Sequence, residues 1–215
     1  ALSINPDFFE CYNQLGNALK KQNKLSEALA AYNKALSINP NYAVALNNIG
    51  LVLKDQNKLI EGIQAYKKAL HINPRFFECF NNLGHILGLK GEYEKAIEKF
   101  NKSLAIQPNS SQAYFNMAIV LKEQGKLQNA LECYEKAILI NPKYFEAYNN
   151  VGSIYNSLNN IEEAINAYSR AISINPIYFE AYSNLGNVYG IRGKWKEAIY
   201  AYTKALSIKP NYDTA

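Results

Sequence analysis

Seven prolines stand at positions 6, 40, 74, 108, 142, 176 and 210, each 34 residues after the one before. A strict period of that length means a stack of like units, each burying its apolar face against the next, and argues against a compact enzyme domain. With each proline set at position 32 of its unit, the 215 residues divide into six full repeats: 9–42, 43–76, 77–110, 111–144, 145–178 and 179–212. Residues 1–8 read as the end of a preceding repeat and 213–215 as the start of a further one.

The columns of this alignment carry the fold. Position 4 holds Tyr12, Leu46, Phe80, Tyr114, Tyr148 and Tyr182, and position 7 holds Leu15, Ile49, Leu83, Met117, Val151 and Leu185. Position 8 is Gly, with Ala118 as the exception; position 20 is Ala, with Gly62 as the exception. Position 24 is always Tyr or Phe (Tyr32, Tyr66, Phe100, Tyr134, Tyr168, Tyr202). Positions 4, 7, 8 and 11 follow the spacing of an amphipathic helix, and positions 17, 20, 21, 24, 27 and 28 do so again. Each repeat therefore reads as two helices, A and B. Position 15 separates them with Asn23, Asn57, Gly91, Gly125, Asn159 and Gly193, the two residue types that enter the left-handed conformation most cheaply. The proline ends helix B and turns the residue before it away from helical angles. Small residues at 8 and 20 let the two backbones approach, while the aromatics at 4 and 24 fill the space around them.

These columns resemble the tetratricopeptide repeat: a bulky residue at 4, Leu-Gly at 7–8, Ala at 20, an aromatic at 24, Ala at 27 and Pro at 32. The likeness runs along essentially the whole chain. Departures are small, such as Leu in place of Tyr at position 11 (Leu19, Leu53, Leu87, Leu121) and the placing of Trp195 at position 17. The resemblance implies an all-α fold, a right-handed superhelical solenoid of antiparallel helix pairs whose A helices line a concave surface.

A helical projection puts positions 2, 6, 9 and 13 on the face of helix A opposite its apolar stripe. Position 6 is an amide in every repeat: Gln14, Asn48, Asn82, Asn116, Asn150 and Asn184. Position 9 adds Asn17 and Asn187, and the flanking position 5 adds Asn13, Asn47, Asn81 and Asn149. Asn inside a helix costs roughly half a kcal/mol against Ala, so a repeated amide at one place asks for a reason. One reading is a peptide-binding face, because a carboxamide both donates and accepts and can pair with a peptide group of any sequence. The other is that the amides space or cap neighbouring helices. Glu10, Glu78, Glu146 and Glu180 at position 2 suit the helix N-terminus. The aromatic pairs Phe8-Phe9, Phe76-Phe77, Tyr144-Phe145 and Tyr178-Phe179 at the joints between repeats read as inter-repeat packing.

Catalytic and cofactor chemistry finds little foothold. Cys11, Cys79 and Cys133 form no CxxC pair, so neither a disulfide framework nor a zinc knuckle is expected, and a reducing, cytoplasmic setting fits. His71 and His85 have no metal-ligand spacing. No nucleophile–base arrangement or phosphate-cradling glycine loop is present, so no cofactor and no enzyme activity are expected within these residues. The net charge is +5, but no run of Lys or Arg exceeds two residues (Lys20-Lys21, Lys67-Lys68), which speaks against nucleic acid. No apolar run is long enough to span a membrane.

The expected function is a scaffold that holds an extended peptide or protein in the groove. Two alternatives stand beside it. Single repeats resemble the N-terminal repeats of O-GlcNAc transferase, which implies a substrate-recognition superhelix with Asn48, Asn82, Asn116, Asn150 and Asn184 gripping substrate backbone. A strut in a large assembly, for instance cytoskeletal, is the third reading. Receptors of Hsp90 and Hsp70 tails resemble this chain less: they need Lys at position 5 and cations at positions 2 and 6, and those are missing. The apolar last B helix (Ala198, Ile199, Tyr202, Ala205, Leu206) is expected to need a covering helix or to associate end to end with another copy.

Overall fold

The left-handed residue at position 15 terminates each A helix, and the computed structural model, which describes residues 8–210, shows how. Asn23, Asn57 and Asn159 each take φ 59°, and Gly91, Gly125 and Gly193 take 75°, 72° and 69°. The following amide then reaches back to close the helix end: the N–H of Lys24 donates to the Leu19 carbonyl at 3.0 Å and that of Lys58 to Leu53 at 2.8 Å. This capping satisfies carbonyls that would otherwise be orphaned.

The B helices stop at position 31, where the residue ahead of the proline swings to extended angles, as at Asn39 (φ −128°) and Asn73 (φ −125°). Their side chains complete a local turn. Asn39 Oδ1 accepts from the Asn41 N–H at 3.1 Å, and Asn73, Asn141 and Asn175 do the same two residues on. The turn they build accounts for Asn ahead of the proline in four repeats, where Gln107 and Lys209 stand in the other two.

Twelve helices and no strands result among the described residues, in six A–B pairs. They are α1 (Phe8–Lys21) with α2 (Leu25–Ile38), α3 (Ala43–Asp55) with α4 (Leu59–Ile72), and α5 (Phe77–Leu89) with α6 (Tyr93–Ile106). The series continues with α7 (Ser111–Glu123) and α8 (Leu127–Ile140), α9 (Phe145–Ser157) and α10 (Ile161–Ile174), α11 (Phe179–Ile191) and α12 (Trp195–Ile208). Helices α1–α6 form one compact unit, ending at Asn109, and α7–α12 a second, beginning at Ser110. The expectations for residues 1–7 and 211–215, including the partial repeats at the two ends, lie outside the described residues.

In five of the six pairs the glycine at position 8 lies under the aromatic ring at position 24; the fourth has Ala118. A Cβ added at Gly16 would sit 2.4 Å from Tyr32 Cε1, and one at Gly84 would sit 2.7 Å from Phe100 Cε1. The ring, rather than the alanine at position 20, is thus the closest neighbour that demands glycine. Gly62, which stands where other repeats have alanine, makes room for Ile86 instead, whose Cδ1 would lie 2.8 Å from an added Cβ. In the first unit Ala28, Tyr32, Ala35, Ala45, Ile49 and Val52 form a continuous buried cluster, and in the second Ile161, Ala164, Tyr168, Leu185 and Val188 do.

Two further aromatic contacts lie at the joints that lead into the next repeat. Phe9 meets Tyr42 edge-on with ring centroids 4.8 Å apart, and Phe145 meets Tyr178 in the same way at 4.8 Å. Each contact joins position 1 to position 34 of the same repeat and sets the start of its A helix against the residue that caps the next A helix. On the B helices position 26 is a cation in all six repeats; Lys136 lies over the Tyr114 ring at 5.5 Å and Arg170 over Tyr148 at 6.0 Å. Such contacts contribute about 0.5–1 kcal/mol each at exposed sites.

Candidate functional site

The position-6 amides follow a rule set by their neighbours. Asn48 Nδ2 donates to Asn13 Oδ1 at 2.8 Å and to Asn17 Oδ1 at 3.2 Å. Asn82 Nδ2 donates to Asn47 Oδ1 at 3.0 Å, and Asn184 Nδ2 to Asn149 Oδ1 at 3.0 Å. Each bond links an A helix to the A helix of the preceding repeat: α3 to α1, α5 to α3, and α11 to α9. The acceptors Asn13, Asn47 and Asn149 are buried, as is Asn81. They hold the position-6 amides in place and contribute little surface of their own.

The donors are only half-buried, and among the described residues none of the three uses its own Oδ1 on the protein. An amide pinned by its nitrogen presents an oriented oxygen at low entropic cost. Through their nitrogens Asn48, Asn82 and Asn184 thus tie neighbouring A helices together.

Asn150 breaks the rule. Thirty-five residues back, where the others find an asparagine, stands Phe115. Its ring stacks on Tyr144 (centroids 4.6 Å, 23°) and lies edge-on to Tyr134 at 5.7 Å, so it offers no acceptor. Asn150 is half-buried and makes no side-chain hydrogen bond among the described residues. Both its donors and its acceptor are uncommitted. Asn116, by contrast, is buried, and its Oδ1 accepts from Gln112 Nε2 at 3.1 Å. Gln112 in turn accepts from the Tyr144 phenol at 3.0 Å.

Position 9 enters a second set of contacts that the sequence columns did not reveal. The Tyr32 phenol donates to Asn17 Oδ1 at 2.8 Å, and the Tyr202 phenol to Asn187 Oδ1 at 2.7 Å. Asn17 also donates to Gln14 at 3.2 Å. Where position 9 is Leu51 or Ile119, the phenols of Tyr66 and Tyr134 are buried without a partner. Column 24 is Tyr opposite Asn17, Leu51, Ile119, Ser153 and Asn187 alike, so the columns carry no signal that separates the paired phenols from the unpaired ones.

Charge on this face is local. In the first unit Lys20 and Lys54 both approach Asp55, each at 3.5 Å. Burial and then the nearby Lys54 hold the His85 imidazole below its ordinary pKa, with Asp55 pulling the other way. Burial pushes the Cys79 thiol up to about 12, which makes it a poor nucleophile, and Cys133 is raised for the same reason. Among the described residues no three His, Cys, Asp or Glu side chains come together as a metal site, and no helix is long and apolar enough to cross a membrane.

The family description "TPR repeat" matches residues 16–57, 86–125 and 152–190. Two further matches described as "Tetratricopeptide repeat" cover 43–76, 111–144 and 179–212, and 1–30, 65–98 and 133–166. Comparison with curated protein sequences finds no match. Among solved structures, MamA is 30% identical over 75% of this chain and 95% of its own, with a TM-score of 0.66. PilW, a type IV pilus biogenesis factor, is 17% identical over 95% of each chain with a TM-score of 0.87. YrrB, described as having an unusual peptide-binding site, is 22% identical over 85% of this chain and 94% of its own, at 0.62. The last two likenesses speak for the fold alone. None of these matches carries the likeness to O-GlcNAc transferase.

Proposed function

Since the chain belongs to the tetratricopeptide repeat family, we propose that it is a protein-interaction scaffold whose A-helix amides hold an extended partner chain by its backbone. The observation that carries this reading is Asn150, a half-buried amide with neither donor nor acceptor engaged. Keeping such a group in a helix interior costs stability against alanine, and a ligand that pairs with it returns that cost. Asn48, Asn82 and Asn184 support the same reading through oxygens oriented by their buried neighbours. YrrB's description as a peptide binder is compatible with it.

The partner pairs its N–H groups with the asparagine oxygens and, at Asn150, its carbonyls as well. Backbone recognition of this kind tolerates many side chains. The cations needed to clamp a chaperone tail are missing at positions 2 and 6. The buried, unpaired thiols of Cys79 and Cys133 suit a reducing, cytoplasmic compartment.

Site-specific photo-crosslinking in cells tests the reading. A benzophenone side chain at Gln14, exposed on the amide face, is expected to capture partners that the same probe at Lys34, exposed on α2, does not. Identical adducts from both positions would remove the amide face as the binding surface.

A further inference from the structure

A second surface lies on the opposite side of α9 from Asn150. Between α8 and α10, with α9 as the floor, runs an open groove of about 520 Å³. Tyr148, Val151 and Tyr155 form the floor, and Ile138 and Leu139 one wall. Leu139 is 81% exposed. Its column holds Ser37, His71, Ala105, Ser173 and Ser207 in the other repeats, so a large apolar side chain stands here where the repeat needs none for packing. Exposed apolar surface set among polar residues marks a contact site.

The rim decides the partner. Glu135 on α8 and Glu163 on α10 face the groove from its two sides. Neither carboxylate has an ion-pair or hydrogen-bond partner among the described residues. The cation of the rim, Arg170, is already held over the Tyr148 ring at 6.0 Å. The equivalent groove of the first unit, about 380 Å³ above Leu83 and Leu87, is different. There Glu92 bridges Lys90 and Lys95 at 2.7 Å each, and Glu98 bridges Lys99 and Lys102 at 2.8 Å each. Its carboxylates are neutralised within the protein; those of the second unit are not.

We propose that the α8–α9–α10 groove docks a basic amphipathic helix of a partner protein, inserting apolar side chains between Leu139 and Tyr155 and pairing Lys or Arg with Glu135 and Glu163. Tyr148 to Tyr155 spans seven residues of α9, roughly 10 Å of helix, which matches about two turns of a docked helix. The chain as a whole carries a charge of +5 and repels such a segment at long range, so its capture requires this local acidic rim. The site is separate from the amide face and stands or falls independently of it.

The experiment uses the full chain and two fluorescein-labelled amphipathic peptides, one of Leu and Lys and one with each Lys replaced by Glu. Fluorescence anisotropy is expected to show saturable binding of the Leu/Lys peptide alone. Leu139→Ser, a change to the residue other repeats carry, and the pair Glu135→Lys with Glu163→Lys should each weaken it about tenfold or more. Asn150→Ala should leave it unchanged. Equal binding of both peptides, binding by neither, or wild-type affinity in the variants overturns the proposal. Light scattering supplies the remaining outcome: a mass that grows with concentration in the wild type and not in Leu139→Ser would assign the groove to a second copy of this chain instead.

Discussion

The phenol of Tyr32 donates to Asn17 Oδ1 across 2.8 Å, while Tyr66, one repeat later where Leu51 takes the place of Asn17, buries the same hydroxyl with no partner. A buried hydroxyl without a partner costs about 1–3 kcal/mol, whereas one that is paired contributes about 1 kcal/mol. Tyr66→Phe is therefore expected to leave the denaturant midpoint unchanged or raise it, and Tyr134→Phe likewise. Tyr32→Phe should lower it. Leu51→Asn should make Tyr66 resemble Tyr32, so that Tyr66→Phe becomes costly in that background. A loss of stability in Tyr66→Phe equal to that in Tyr32→Phe would contradict the assignment.

Gly16 lies beneath the Tyr32 ring, with 2.4 Å from a would-be Cβ to Cε1. Gly16→Ala gains about 1 kcal/mol in helix propensity and loses about 1–3 kcal/mol to overpacking. The net change is a loss, and Tyr32→Leu in the same chain should recover part of it. The fourth repeat carries Ala118 at this position, so Ala118→Gly should be neutral or destabilising through propensity alone. Guanidinium unfolding of the three variants checks all of this.

Acid sensitivity has two sources. His85 has a lowered pKa in the folded protein, so the unfolded chain binds the proton first. Its contribution is fully present above the unfolded value, about 6.5, and declines as pH falls below that. His85→Gln should flatten the stability profile in this range. Glu92 is held down to about 2 by hydrogen bonds from Lys90 and Lys95. Its contribution is present above the ordinary carboxylate range and fades as pH falls towards 2. The group is exposed, so salt should suppress this second effect and spare the first.

The helix pairs were legible because each rests on a local rule that repeats. Asn or Gly at position 15 and Pro at position 32 terminate helices whatever surrounds them, and six copies turn a weak preference into a pattern. The amide face was legible in part, because the helical projection of Asn48, Asn82, Asn150 and Asn184 is itself local. What lay beyond reach was the bond from Asn48, Asn82 and Asn184 to a buried asparagine of the preceding repeat, a contact between residues 35 positions apart. Helical angle alone places Asn13 on the flank of the face that Gln14 presents, and cannot tell a buried flank from an exposed one. For the same reason nothing in the sequence signals that Phe115, 35 residues before Asn150, leaves that amide without the asparagine partner the others find. Leu139 escaped notice because single exposed leucines are ordinary; only the groove beside it gives it meaning.

The central claim is that the amide face reads a partner's backbone, and a backbone N-methyl scan tests it most directly. A peptide selected from a random library on the full chain is remade with one backbone N–H methylated at a time and, separately, with each side chain cut to alanine. Affinities are measured on the wild type and on Asn150→Ala. The account predicts that at least two N-methylations weaken binding about tenfold or more, consistent with about 1–1.5 kcal/mol or more per lost bond. Most alanine substitutions should have smaller effects, and Asn150→Ala should weaken binding while the fold is retained. Binding that is indifferent to N-methylation and governed by one or two peptide side chains, with Asn150→Ala equal to the wild type, would contradict it.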